Sequence, residues 1–279
     1  MAHPSSPRTD GAAFETGTVL LGDIDVAFSC TGSGKPVVFV HGLAEDQSSW
    51  IEIIRRLAPG NCAHAVDLRG HGRSSAGKGN GTVSQLAGDL LAYLDKVTGP
   101  AACVGFSLGG VIVLEAALQR PDLVRQAIVV GTSSKVGRAA TTFFEERVRQ
   151  VQSDIEGFRE ALASDADAQL VRNRGGIAEI AAQRVAAVGE GAGYINAARA
   201  MIAVASAPLT ERLREIRVPV HIIHGEKDVF CPQKATEILR EAMPEAGYAE
   251  IPDAGHLIAV DQPDLLALEI SKALKKKNS

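Results

Sequence analysis

Val104-Gly105-Phe106-Ser107-Leu108-Gly109-Gly110 contains the pattern Gly-x-Ser-x-Gly between two flanks of different character. Ala101–Phe106 is a short, continuously apolar run, as a strand covered on both faces should be. Leu108–Gln119 contains no proline and reads as a helix. A serine at such a strand-to-helix junction sits on a sharp turn with a strained backbone. The residues two before and two after it pack against that turn, where a side chain would collide. The junction exposes the Ser107 hydroxyl above the strand end, beside the positive N-terminus of the helix. A glycine-rich turn with an incidental serine is the plainer alternative. The strand–turn–helix setting favours a nucleophile.

Outward from this junction the alternation continues. Val37–Val40, Ala63–Val66, Gln126–Val130 and Val218–Ile223 read as further strands, and Tyr248–Ile251 as a last one. Thr18–Leu21 and Ile24–Phe28 form a hairpin-like pair around Gly22-Asp23. Helices are expected over Ser48–Leu57, Val83–Val97, Lys234–Met243 and Asp264–Lys275. Strand–helix–strand alternation of this kind predicts an α/β fold, with about eight strands in a mostly parallel sheet flanked by helices on both faces.

One stretch breaks the alternation. Phe144, Val148, Val151, Ile155, Phe158 and Leu162 recur every three or four residues. Ile177, Ile180, Ala181, Val185 and Val188 do the same, as do Ile195, Ala198 and Ile202. A crossover between parallel strands needs only about a dozen residues, so this block reads as an all-helical cap rather than as ordinary crossover helices. The expected organisation is a core of residues 1–132 and 209–279, with a loose tail at 1–14, and a helical cap at 133–208.

With 279 residues, 46% of them hydrophobic, the chain can bury a large core. Lys plus Arg number 29 against 33 Asp plus Glu, a net charge of −4. That balance points away from nucleic acid, whose binders carry a basic patch. The cluster Lys275-Lys276-Lys277 reads as a solvated helix end, favoured by the helix dipole. Cys30, Cys62, Cys103 and Cys231 show no metal-ligand spacing and read as reduced, mostly buried thiols. Met1–Ala13 lacks the apolar centre of a signal peptide. No apolar run approaches the roughly 18–20 residues that cross a bilayer. A cytoplasmic protein with neither a nucleic-acid nor a membrane partner is expected; a homodimer stays open.

Five motifs now resemble the α/β-hydrolase superfamily, and the likeness runs from about Gly17 to the C-terminus. His41-Gly42 directly after Val37–Val40 is similar to the family's oxyanion loop. Asp67-Leu68-Arg69-Gly70-His71-Gly72-Arg73-Ser74 is similar to its D-x-R-G-x-G-x-S loop. Gly105–Gly110 resembles its nucleophile elbow. Gly225-Glu226-Lys227-Asp228, with Pro232 beyond, resembles the loop carrying its acid, and Ala254-Gly255-His256 the loop carrying its base. The motifs stand in the family's order. They are specific for fold and much less so for substrate.

The resemblance implies a triad of Ser107, Asp228 and His256. Seven histidines compete for the base. His3 falls in the tail and His64 beside a strand; His41 and His71 shape glycine-flanked loops; His221 and His224 sit on an apolar strand. His256 lies on a loop between the last strand and the last helix, where an ordinary pKa near 6.5 suits general-base work. Asp228 follows the strand that ends near His224, in a loop next to the histidine loop. Asp253 and Asp261 read as braces of the His256 loop, and Glu226 as pointing elsewhere or to solvent. Gly131-Thr132-Ser133-Ser134 is neutral, which removes the acid position after the preceding strand that some family members use. The chain order Ser…Asp…His is the one expected of this fold. An oxyanion needs two backbone donors, here the N–H groups of Leu43 and Leu108.

What this machinery implies is water-dependent acyl transfer on a small-molecule ester, lactone or thioester through an acyl-enzyme, without organic cofactor or metal. Carbon–carbon hydrolases of ring-cleavage pathways are the alternative. They usually carry asparagine before the serine, where this chain has Phe106, and a Ser-Gly-Pro-Gly-type oxyanion loop, where it has Leu43-Ala44-Glu45-Asp46. The resemblance is nearer to esterases and enol-lactonases. A cofactor-free oxygenase using only the His–Asp pair and a non-catalytic receptor are more distant readings. Phe143, Phe144, Tyr194, Met201 and Phe230 are candidates to line the substrate pocket between cap and sheet, with core packing as the alternative. Arg172, Arg174 and Arg199 are candidates to bind a substrate carboxylate, with surface solvation as the alternative.

Overall fold

The apolar runs around the Gly-x-Ser-x-Gly segment lie at the centre of an eight-stranded sheet. The computed structural model describes residues 13–57 and 59–276. Residues 1–12 of the expected tail, and Lys277 of the terminal lysine cluster, lie outside the described residues. The strands are β1 (Glu15–Leu21), β2 (Ile24–Gly32), β3 (Lys35–Val40), β4 (Asn61–Val66), β5 (Ala101–Phe106), β6 (Val124–Val130), β7 (Val220–Gly225) and β8 (Gly247–Ile251). In space they run β1-β2-β4-β3-β5-β6-β7-β8. β2 pairs antiparallel with both β1 and β4, and every other pairing is parallel.

The pleat sorts the central strands onto two cores. Val38 and Val40 of β3 face one core together with Cys103, Val129 and Ile222. That core is closed by helices α2 (Val83–Tyr93), α3 (Leu108–Gln119) and α8 (Gln233–Ala242). Val37 and Phe39 face the other core, with Val104, Ile128 and Ile223, under α1 (Ile51–Arg56) and the C-terminal helix Pro263–Lys275. Both faces are covered, so these strands are apolar throughout rather than alternating. The antiparallel outer strands run further than expected from the sequence. β2 reaches Gly32 through Ser29, Cys30 and Thr31, because at the sheet's margin only one face needs apolar residues.

Between β6 and β7 the described residues contain helices only: α4 (Arg138–Ser153), α5 (Ile155–Ala168), a short 3₁₀ turn at Arg174–Gly176, α6 (Ile177–Val188), α7 (Ala192–Ser206) and a second 3₁₀ turn at Leu213–Glu215. The apolar stripe from Phe144 to Leu162 keeps its helical period, and the structure divides it between two helices at Asp154. That residue leaves the helical region (φ −153°, ψ 76°) and its carboxylate accepts the Gly157 N–H at 3.0 Å, capping α5. Periodicity cannot see the break, because the stripe keeps its phase across it. Helices α9 (Ile258–Asp261) and α10 (Pro263–Lys275) follow β8.

The insertion has its own small core of Val148, Val151, Phe158, Leu162, Val188, Tyr194 and Ala198, which Ala44 of the loop after β3 joins. Phe158 and Tyr194 meet edge to face, ring centroids 4.7 Å apart. It is hooked to the sheet through the loop after β4. Gly72 N–H donates to the Ala187 carbonyl at 2.8 Å. A Cβ at Gly193 would lie 2.2 Å from the Gly70 carbonyl oxygen, so helix and loop touch backbone to backbone. Gly193→Ala is therefore expected to lower unfolding free energy by about 1–3 kcal/mol in urea titration. Ala192→Ser, at its exposed neighbour, should stay within about 0.5 kcal/mol.

Candidate active site

Ser107 sits between β5 and α3 with φ 51° and ψ −116°, a left-handed conformation that costs a non-glycine residue about 1–3 kcal/mol. The surroundings hold it there. Its N–H donates to the Val130 carbonyl at 2.9 Å, and its carbonyl accepts the Thr132 hydroxyl at 2.6 Å. The flanking glycines are obligatory. A Cβ at Gly105 would lie 2.2 Å from the Gly109 carbonyl oxygen, and one at Gly109 would lie 2.3 Å from that of Val40.

His256 and Asp228 come from two loops joined by backbone bonds. Glu226 N–H donates to Ile251 and Lys227 N–H to Ala254. Asp228 Oδ2 accepts from His256 Nδ1 at 2.8 Å, while Oδ1 takes the N–H groups of Phe230 and Cys231 at 2.9 and 2.8 Å. With Nδ1 donating, His256 Nε2 is an acceptor, 3.1 Å from Ser107 Oγ. The imidazole lies between two phenyl rings, Phe106 at 4.9 Å and Phe230 at 5.5 Å between centroids. Gly131, at the end of β6, leaves room for this pair: a Cβ there would stand 3.3 Å from Asp228 Oδ2.

Asp261 secures the histidine loop from behind. Its two oxygens accept four backbone N–H groups, from Gly255 and from Val171, Arg172 and Asn173 of the insertion, at 2.8–3.1 Å. Asp253 and Glu226 brace the same loop, Asp253 pairing with Lys227 and its N–H donating to Glu226.

On the other side stands the loop after β3, where Ala44 takes φ 60°. Neither the Leu43 nor the Leu108 N–H is used in a hydrogen bond among the described residues, and both residues line the cavity beside Ser107. His41 shapes this loop. Its Nε2 accepts the Leu68 N–H at 2.9 Å, so the ring proton sits on Nδ1 and is donated to the Gly42 carbonyl at 2.8 Å. Burial lowers the His41 pKa to about 4. Burial, with the charge of His41 next, lowers that of His71 to about 3. Both rings are neutral fixtures.

The cavity has a volume of about 690 Å³, in the range of small-molecule sites, and is mainly apolar. Phe143, Phe144, Tyr194, Met201 and Phe230 all line it together with Ser107 and His256. Arg172 does not: its side chain is exposed and only its backbone is engaged, on Asp261. Arg174 is exposed and pairs with Asp167, and Arg199 is exposed beside Gly81. Two arginines of the insertion do line the cavity, exposed Arg138 at the start of α4 and buried Arg184 on α6, and sequence reading passed over both. The spacing of Arg184 placed it next to Val185 on a helix face with no mark of what lay opposite.

Asp228, Cys231 and His256 bring three donor atoms within 4.8 Å, the one group among the described residues that could hold a metal ion. Two of them are already bonded to each other. Burial, and then the Asp228 charge, push the Cys231 thiol well above its ordinary range, keeping the protonated form that does not ligate.

A sequence profile of the Alpha/beta hydrolase family matches residues 37–269, and the chain belongs to that family. A pimeloyl-[acyl-carrier protein] methyl ester esterase of Nitrosomonas europaea is 26% identical, over 84% of this chain and 93% of that one. The 3-oxoadipate enol-lactonase 2 of Acinetobacter baylyi is 27% identical, over 91% and 95%. The crystal structure of an enol-lactonase from Burkholderia xenovorans LB400 superposes with a TM-score of 0.84 at 23% identity, covering 93% of this chain and 100% of that one. The last likeness concerns the fold alone.

Two buried histidines with lowered pKa values carry a consequence for stability. Between pH about 6.5 and 4 the unfolded chain takes up protons that the folded rings refuse. The stability they contribute is full above pH 6.5 and is lost as pH falls, down to about 4 for His41 and about 3 for His71. Removing one titrating ring with His71→Phe is expected to flatten the dependence by up to about 1.4 kcal/mol per pH unit, measured as urea unfolding at pH 6.5, 5.5 and 4.5. An unchanged slope would show that this ring does not titrate with folding.

Proposed function

We propose that this chain is a serine hydrolase acting on a small-molecule carboxylic ester, lactone or thioester through an acyl-enzyme, with residues 133–208 acting as the cap over its substrate. The observation that carries this reading is the hydrogen-bonded line from Ser107 Oγ through His256 to Asp228, opening into an apolar cavity beside two uncommitted N–H groups. The names of the esterase and enol-lactonase relatives support the same class of bond.

The steps follow from the geometry. Ser107 Oγ attacks the substrate carbonyl carbon as His256 Nε2 takes its proton, and Asp228 stabilises the imidazolium. Negative charge on the former carbonyl oxygen is met by the N–H groups of Leu43 and Leu108, where one lost donor typically costs 10²–10³ in rate. The bond to the leaving group breaks, and the His256 proton goes to the departing alcohol or thiol. Water, deprotonated by His256, then attacks the acyl-enzyme and releases the acid and Ser107. Phe230 stacks on the imidazole and Phe106 packs against it at a tilt.

Ser107→Ala and His256→Ala are each expected to lower kcat by about 10³-fold or more on whichever ester the wild type turns over. A fluorophosphonate should label wild-type Ser107, located by peptide mass spectrometry. If Ser107→Ala keeps most of the activity, the acyl-enzyme is excluded and the His256–Asp228 pair works by another reaction.

A further inference from the structure

Three arginines of the described chain are drawn well into the protein, and two of them are neutralised there. Arg69 makes a fork with both oxygens of Asp89 at 2.6 and 2.7 Å, and Arg147 does the same with Asp165 at 3.0 and 2.8 Å. Arg184 differs. It is 7% exposed, its Nη1 donates to the Gln169 side-chain oxygen at 2.9 Å, and its Nη2 reaches the Leu43 carbonyl at 3.4 Å. Its Nε has no partner at all. No carboxylate among the described residues is within ion-pairing distance of it. Glu45 feels the Arg184 charge from beyond ion-pairing distance; its Oε2 accepts the Gly42 N–H at 3.1 Å, and burial raises its pKa against both of these influences. A buried cation without a counter-ion is strongly disfavoured unless a ligand supplies one.

The cavity around it has a matching field. Besides Arg184, its lining includes Lys135, Arg138 and Lys234 near the mouth, and no aspartate or glutamate among the described residues. Lys234 also meets Glu237 at the surface. In a chain of net charge −4, a cavity edged with cations alone concentrates anions.

We infer that the substrate is itself an anion: an ester, lactone or thioester whose acyl part ends in a carboxylate bound by the Arg184 guanidinium. This deepens the serine-hydrolase reading and rests on it. The spacing comes from residue Leu43, whose N–H serves the oxyanion and whose carbonyl lies 3.4 Å from Arg184 Nη2. One residue of chain plus a hydrogen bond at each end sets carbonyl and carboxylate on the order of 6–10 Å apart. That selects the half-esters of dicarboxylic acids with a few carbons between their ends. Hydrolysis then releases a dicarboxylate and an alcohol, the water oxygen ending in the new carboxyl group.

The test compares monomethyl glutarate and monomethyl adipate with their dimethyl esters on wild type, Arg184→Gln and Arg184→Lys. Wild type is expected to favour the half-esters in kcat/KM by about tenfold or more. Arg184→Gln should cut the ratio of half-ester to diester by about 10- to 100-fold, the range of a charge-assisted hydrogen bond, with Arg184→Lys between them because it keeps charge and loses the fork. A ratio within about twofold of wild type in Arg184→Gln overturns the proposal, as does a wild-type preference for the diesters. A second measurement needs no turnover: millimolar glutarate should raise the melting temperature of Ser107→Ala and leave that of Ser107→Ala/Arg184→Gln unmoved. Equal shifts, or none in either, also overturn it. If fluorophosphonate fails to label Ser107 and no ester is hydrolysed, the serine-hydrolase reading has failed, and the glutarate melts alone decide whether Arg184 binds a carboxylate.

Discussion

The backbone of Ser107 is held where a residue with a side chain does not go by choice. Its positive φ is tolerated because two backbone contacts allow no relaxation: Gly105 against Gly109, and Gly109 against the end of β3. β5 can supply that rigidity only from the middle of the sheet, paired in parallel with β3 and β6. Both faces of those strands are sealed by separate apolar cores. The local strain of about 1–3 kcal/mol is small against the burial of two such layers. The remaining parts of the site hang from neighbouring strand ends: Leu43 after β3, Gly131 after β6, Asp228 after β7 and His256 after β8.

Burial holds two histidine rings of the site's surroundings in the neutral form. His41 and His71 are buried among backbone groups and stay neutral well below physiological pH. One of them has both nitrogens committed to main-chain partners. Among the described histidines, His256 alone has a carboxylate at one nitrogen and a hydroxyl at the other. Asp67 accepts from Gln47 and from the Arg73 N–H, which fixes the loop after β4 against which α7 packs.

Sheet, elbow and loop order were readable from the chain because each depends on local rules. Buried parallel strands must be apolar, and a left-handed junction must be flanked by glycine. What could not be read has a common origin in tertiary contact. Strand β2 runs longer than its apolar stretch because Thr31 and Gly32 pair with β4 at an edge where polarity is no obstacle. The break at Asp154 hides inside an unbroken apolar period. Arg172, Arg174, Arg199 and Arg184 are alike as letters, and only the fold turns three to solvent and one into the cavity. Leu43 and Leu108 could be chosen by position, yet their relevant atoms are main-chain and carry no trace of side-chain chemistry.

Asp261 joins the two parts of the molecule in a way that limits how the insertion can behave. The same carboxylate holds Gly255, next to His256, and three successive N–H groups that follow α5. Gln169 reinforces the joint: its backbone carbonyl accepts the Leu257 N–H, and its side chain accepts from Arg184. A rigid outward swing of α5 and α6 would therefore pull on the loop carrying His256 and strip hydrogen bonds from a buried carboxylate, each worth about 1.5–3 kcal/mol. At the other end of the insertion, Ser134 accepts the Leu209 N–H at 2.9 Å and its hydroxyl meets that of Thr210, so the chain is tied there just before α4 begins. There Arg138, Ala139 and Ala140, where α4 begins, line the cavity near its mouth and are exposed or half-buried. Through Gln169 and Asp261, the side chain of Arg184 and the loop carrying His256 are thus held to one frame.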